Sequence, residues 1–348
     1  MRECEKWKKT MIEDAKKNII DILSEAFNHT DQQACVIVFD LRSELSQILT
    51  TAYRGAVPKA VFINFDETTP ENILKTFAEL KPADLVILIQ STNFRLETFR
   101  IRVELFKRQI KVIEHPHLGR MSGIQTRHYV EALAYDSAYY RGVGHALKLK
   151  IDQSKICEID TGGHLLVYNS KFESAKLNIG DYSNMVNIGG QFPIGEVFTE
   201  AQDLAMVNGS ARIFCFGDTT YTVNKPDCPI TLIIEKGIIT RTENSTPAFE
   251  NVLDIIRASE GHVQIRELGF GMNRALTRDK IVSDIGTYER MCGVHLSLGK
   301  KHDSYVKSGF KRGESRYHID IFLAVDSVNI DGENIYKDQK WIFTSLAT

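Results

Sequence analysis

The sequence predicts an α/β protein in two parts. A doubly wound parallel sheet is expected over residues 1–150, and a mainly antiparallel β (α+β) metal-binding domain over 151–348. Three observations carry this reading. Compact apolar runs alternate with amphipathic stretches up to His115, and from Ile151 the texture changes to short segments of period two. The chain of 348 residues is also too long for one small core, so two domains are the ordinary expectation.

Taken in order, Met1 to Lys17 is dense in Lys and Glu and lacks the apolar core and cleavage site of a secretory signal, so it reads as a solvated helix. IIDILSEAFNHT (18–29) has helical apolar spacing, and ACVIVFD (34–40) is a strand rich in β-branched residues. KAVFINFD (59–66), DLVILIQS (84–91) and KVIEH (111–115) are further strands, with helices from Pro70 to Leu80 and from Leu96 to Gln109 between them. Strands apolar throughout and separated by amphipathic helices imply a parallel sheet covered on both faces. FDLRSE stands where GxGxxG would follow the first strand, so no dinucleotide site is expected and the sheet reads as scaffold and dimer support.

A helical segment from Ile124 to Lys150, broken near Gly142 and Gly144, leads into the second half. There KICEID, HLLVYN, SARIFCFG, ITLIIEKGIITRT, HVQIREL, GVHLSL, YHIDIFLAV and SVNIDG read as strands. Turns fall at Gly162-Gly163, Gly180-Asp181, Gly189-Gly190 and Asp331-Gly332, and helices at Ala248 to Glu260 and around Asp279 to Arg290.

Composition removes several classes. An apolar fraction of 43% with 25% charged residues is that of a folded globular chain. No apolar run reaches the length of a membrane span. A net charge of −2 without a sustained basic stripe argues against a nucleic-acid partner, and Lys307, Lys311, Arg312 and Arg316 read as a solvated loop face. Six cysteines without a CxxC pair suggest neither a zinc ribbon nor a disulfide framework, and reduced thiols in the cytoplasm account for them.

Four fragments of the second half carry ligand-type side chains. In Tyr317-His318-Ile319-Asp320, period two puts His318 and Asp320 on one strand face, where both can bind one cation. Gly293-Val294-His295-Leu296-Ser297-Leu298-Gly299 sets a histidine among apolar neighbours, and Arg266-Glu267-Leu268-Gly269-Phe270-Gly271 sets a carboxylate against a glycine-rich turn. In Pro193-Ile194-Gly195-Glu196-Val197-Phe198, a glutamate inside an apolar segment needs a compensating charge. Three carboxylates and two imidazoles suit Zn²⁺, Co²⁺, Mn²⁺ or Fe²⁺, whereas calcium would call for oxygen ligands throughout.

PIGEVFTE, VNGSARI, ELGFGMNRA, GVHLSLG and YHIDIFLAVDSVNIDG, in that order, resemble the thermophilic-aminopeptidase family of metallopeptidases, the aminopeptidase T and aminopeptidase S group. The likeness spans 186–333 by motif and 30–150 by α/β pattern alone. It implies that Glu196, Glu267, His295, His318 and Asp320 hold one or two divalent ions, with Glu196 or Glu267 bridging or acting as base, in a homodimeric aminopeptidase acting on short peptides. The family's assisting tyrosine, seven residues after the histidine, is His302 here, with Tyr305 three residues further on; these two are the candidates for that role. The related 2,5-dihydroxypyridine 5,6-dioxygenases hold a single Fe(II) with two histidines and an aspartate, a pattern that His295, His318 and Asp320 also fit, with His115 or His117 as a proton-managing histidine. A metal-stabilised binding protein without turnover is the third reading.

Overall fold

Five-residue runs of apolar side chains build the first sheet. In the computed structural model, which describes residues 2–96, 100–185, 188–299, 305 and 317–343, these runs form β1 (Cys35–Phe39), β2 (Val61–Asn64), β3 (Leu85–Ile89) and β4 (Lys111–His115). They pair in parallel in the order β2-β1-β3-β4. β1 and β3 are buried along their whole length, as strands covered on both faces are, and the edge strand β2 exposes Val61.

The N-terminal helix α1 (Arg2–Asp21) forms over the stretch expected to be helical and passes into a π turn at Ile22–Ala26. Helix α2 (Glu44–Ala56) was not among the expected elements, although the sequence contains its signals. Ser43 and Ser46 cap each other reciprocally, and Leu45, Ile48, Leu49, Ala52 and Tyr53 recur at helical spacing on a buried face. Helix α3 (Pro70–Ala78) lies where expected, with proline in its first turn. Helix α4 (Ile101–Lys107) is shorter than the Leu96–Gln109 expectation, since Gln109 turns to a positive φ of 58° and ends it. The next helical stretch breaks between α5 (Ile124–Ala132) and α6 (Ser137–Gln153), not at Gly142 or Gly144. There the Asp136 carboxylate accepts the Tyr139 amide hydrogen and starts the new helix.

A fifth parallel strand, Gly189–Gln191, pairs with β4. Glycine is required at 189, where φ is +143° and a Cβ would stand 2.0 Å from the Val112 carbonyl oxygen. Two compact units result: 1–141 with 178–194, and 142–177 with 195–348. The boundary expected near 150 falls inside α6, and 178–194 return to the first unit.

Within that unit His115 is fully buried. Tyr129 Oη gives its hydrogen to the Phe192 carbonyl at 2.9 Å, so His115 Nδ1 must donate to Tyr129 Oη at 2.9 Å, leaving Nε2 to accept from Tyr53 Oη at 2.7 Å. Both ring nitrogens are satisfied and burial lowers its pKa to about 3. The expectation that His115 manages protons at an active site is therefore corrected: it is a neutral core residue.

The second unit is dominated by antiparallel pairings. ITLIIEKGIITRT is a hairpin, Ile230–Glu235 with Ile238–Glu243, because Lys236 and Gly237 both take positive φ. Helix Pro247–Glu260 runs from the Thr246 cap to a left-handed Gly261. Of the helix expected around 279–290 only Ile285–Tyr288 forms, started by the Asp284 carboxylate accepting the Thr287 amide hydrogen. Cys35, Cys157, Cys215, Cys228 and Cys292 are free thiols. Among the described residues no helix is long and apolar enough to cross a membrane.

Candidate functional site

Four adjacent antiparallel strands carry the ligand-type residues: Glu196–Glu200, Ile265–Gly271, Gly293–Gly299 and His318–Leu323, side by side in that order. Gly271 lies opposite Glu196, Gly269 opposite His295, Glu267 opposite Glu200, and Ser297 opposite Asp320. Directly opposed residues of an antiparallel pair share a face, and so do residues two apart on one strand. Register and alternation therefore gather Glu196, Glu200, Glu267, His295, His318 and Asp320 on one face of the sheet.

Gly269 lets two strands that are not hydrogen-bonded to each other communicate. His295 and Glu196 sit on strands separated by the Ile265–Gly271 strand, and the imidazole leans across the position that a side chain at 269 would fill. A Cβ there would stand 2.1 Å from His295 Cε1 and Nε2. The expected glycine-rich turn at this point is instead strand, and its glycines serve close approach: a Cβ on Gly271 would meet the Met291 carbonyl oxygen at 2.0 Å.

Across Gly269, His295 Nε2 lies 3.2 Å from Glu196 Oε1 and 3.7 Å from Glu267 Oε1. Glu196 Oε2 accepts from Arg290 Nη1 at 2.7 Å, and the same guanidinium nitrogen is 2.5 Å from Glu289 Oε1. Ligand atoms of Glu196, Glu289 and His295 all lie within 4.8 Å of one another. His318 Nε2 and Asp320 Oδ1 form a second pair at 3.2 Å. Ser297 Oγ accepts the Glu267 amide hydrogen at 3.0 Å and fixes the backbone beside that carboxylate.

Glu196, Glu267, His295 and Asp320 are all at most 4% exposed, while the His318 side chain is 33% exposed. Among the buried atoms without a hydrogen bond of proper geometry are His295 Nε2 and Asp320 Oδ1, which have contacts of ion-pair type, and Glu267 Oε2. Burial opposes charge on His295, yet the Glu196 and Glu267 carboxylates overcome it and push its pKa up to about 10. Burial likewise opposes charge on His318, where Asp320 prevails and raises it to about 10. Burial drives the Glu289 carboxyl up to about 8, against Arg290 and with help from Glu196 and Asp320. Burial would raise Glu196 and Asp320 too, but Arg290 and His318 respectively hold them below the usual range.

Buried acid thus exceeds the charge of the Arg290 guanidinium, and it favours protons on two imidazoles. A divalent cation supplies the same compensation while releasing those protons, and the unsatisfied nitrogen and oxygen atoms are of the donor types that Zn²⁺, Co²⁺, Mn²⁺ or Fe²⁺ takes. The residues present fit such an ion.

Glu289 and Arg290 were not among the expected site residues. Their only trace in the sequence is a charged pair just before the apolar Met291–Leu298 stretch, and the expected helix there obscured it. Tyr305 donates from its hydroxyl to the Phe198 carbonyl at 3.1 Å or that of Ser174 at 3.3 Å, and burial pushes its pKa well up. That hydroxyl hydrogen is committed to backbone. His302 and the basic residues Lys307, Lys311, Arg312 and Arg316 lie outside the described residues.

No family model matches the chain, and no curated protein matches it. Among solved structures it is similar to wild-type AmpT from Thermus thermophilus, at 14% sequence identity with a TM-score of 0.57, over 95% of this chain and 99% of that one. The chain shares the fold of AmpT.

Proposed function

We propose that this chain is a divalent-metal-dependent hydrolase of aminopeptidase type, with the catalytic centre in the second unit and the parallel-sheet unit as scaffold. The observation that carries the reading is the buried, one-faced set Glu196, Glu267, His295 and Asp320, with half-buried Glu289 beside it and three of the set's donor atoms lacking hydrogen bonds. The fold shared with AmpT, taken with the motif resemblance in the same strands, supports the reaction class.

Glu196, Glu289 and His295 would hold an ion, and Glu267, His318 and Asp320 are available to complete its shell or to hold a second. When bound, such an ion supplies Lewis acidity to a substrate carbonyl and brings the pKa of a water toward neutrality. Glu267 Oε2, buried and without a hydrogen bond, is the acceptor assigned to that water's proton. Arg290 clamps Glu196, and Ser297 fixes the Glu267 backbone. Surplus acid at the site favours a substrate that presents an ammonium group, as the N-terminus of a short peptide does.

An Fe(II) dioxygenase would need only His295, His318 and Asp320. The two glutamates gathered about His295 exceed that set and favour hydrolysis. Elemental analysis of anaerobically purified protein, with release of amino acids from short peptides and oxygen uptake on hydroxylated pyridines as paired assays, tests the choice. Bound metal with peptide cleavage, both lost in His295→Ala, is expected. Full metal content in His295→Ala, or oxygen uptake without peptide cleavage, refutes the proposal.

A further inference from the structure

The carboxyl edge of an open parallel sheet is where such sheets take ligands. Outside the carboxyl ends of β3 and β4 the first unit has a cleft of about 610 Å³, walled in part by Gln90, Asn93, Arg95, Arg100, Arg102 and Glu114. Gln90 is only 4% exposed. Its Oε1 accepts the Phe94 amide hydrogen at 2.8 Å, which settles the orientation of the carboxamide and leaves Nε2 as the group turned elsewhere. Among the described residues Nε2 makes no hydrogen bond, so it is available to donate to an incoming acceptor atom.

Charge points the same way. Arg102 Nη1 is 2.7 Å from Glu114 Oε2, so that pair contributes little net field. The Arg95 and Arg100 side chains at the cleft, both exposed residues, make no ion pair or hydrogen bond among the described residues, which places two guanidinium groups without a described carboxylate partner at the cleft that Gln90 also lines. Planar guanidinium forks match carboxylate and phosphate oxygens.

We propose that this cleft binds a small doubly charged organic anion, a dicarboxylate or a phosphate monoester, with Gln90 Nε2 donating to it and Arg95 and Arg100 pairing with its charge. The site lies within the first unit and is independent of the metal reading.

Isothermal titration of the whole chain with succinate, with glycerol 2-phosphate and with acetate as the singly charged control tests it. Saturable binding of succinate or of glycerol 2-phosphate is expected, with acetate much weaker, and the stronger of the two identifies the ligand class. Arg95→Ala combined with Arg100→Ala, both at exposed positions, should weaken binding by about tenfold or more. Gln90→Glu keeps the acceptor for Phe94 while exchanging the donor for a negative oxygen, and should do the same. Absence of saturable binding at millimolar anion, acetate binding as tightly as the dianions, or unchanged affinity in the double arginine variant overturns the proposal.

Discussion

Replacing Gly269 with alanine perturbs the site by one methyl group whose destination is known. Its Cβ would lie 2.1 Å from two atoms of the His295 ring, whereas ordinary van der Waals contact begins at 3.4 Å, so the ring must retreat by about 1.3 Å. His295 is 1% exposed and walled by Phe322, whose ring centroid is 5.9 Å away, so the retreat displaces packed neighbours. Overpacking of a close-packed interior costs about 1–3 kcal/mol. Ligand distances of a metal site hold to within about 0.2 Å, so under the proposed ligand role of His295 the affinity for metal should collapse. The assay is a double-mutant cycle by denaturant unfolding on Gly269→Ala, His295→Ala and the pair, in chelator so that metal plays no part. With the imidazole removed the methyl group has room, and the cost of Gly269→Ala should fall by at least about 1 kcal/mol, within the range of coupled neighbours. An equal cost in both backgrounds, or Gly269→Ala retaining full metal content, refutes the reasoning.

Two further outcomes follow from the geometry. Arg290→Met removes the guanidinium held between Glu196 and Glu289 and leaves their carboxylates without a cation; a loss of about 3–5 kcal/mol is expected by denaturant unfolding in chelator, and an unchanged midpoint contradicts it. His115 has a folded pKa of about 3 against an ordinary value of 6.5, so below 6.5 the unfolded chain takes up a proton that the folded chain refuses. Its contribution to stability is complete above pH 6.5 and declines by about 1.4 kcal/mol per pH unit as pH falls toward 3. His115→Gln, which keeps a donor and an acceptor for Tyr129 and Tyr53, should flatten the acid limb of the pH–stability curve, and an unaltered limb would exclude this assignment.

Legibility followed the range of each interaction. β1, β3 and β4 are readable because a strand buried on both faces must be apolar at every position, and that requirement is local. His318 and Asp320 share a face through strand alternation alone. The strand Gly189–Gln191 was not readable, since three residues with two glycines carry no periodicity, and its place depends on the Val112 carbonyl it approaches. Glu289 was hidden for a similar reason: a glutamate after a four-residue helix looks solvated until the neighbouring Arg290 is held by Glu196, far away in sequence.

By itself the sequence determined the residue types and their alternation: which runs are apolar, which strands carry a carboxylate or an imidazole, and where serine, threonine and glycine begin and end helices. These depend on neighbours within a few positions, where spacing is set by bond geometry. Tertiary structure alone decided the strand order that puts Glu196 two strands from His295, the use of Gly269 as the gap between them, and the closing of both hydrogen bonds of His115. Those outcomes depend on the register between segments far apart in the chain, and register is settled only when whole strands pack together.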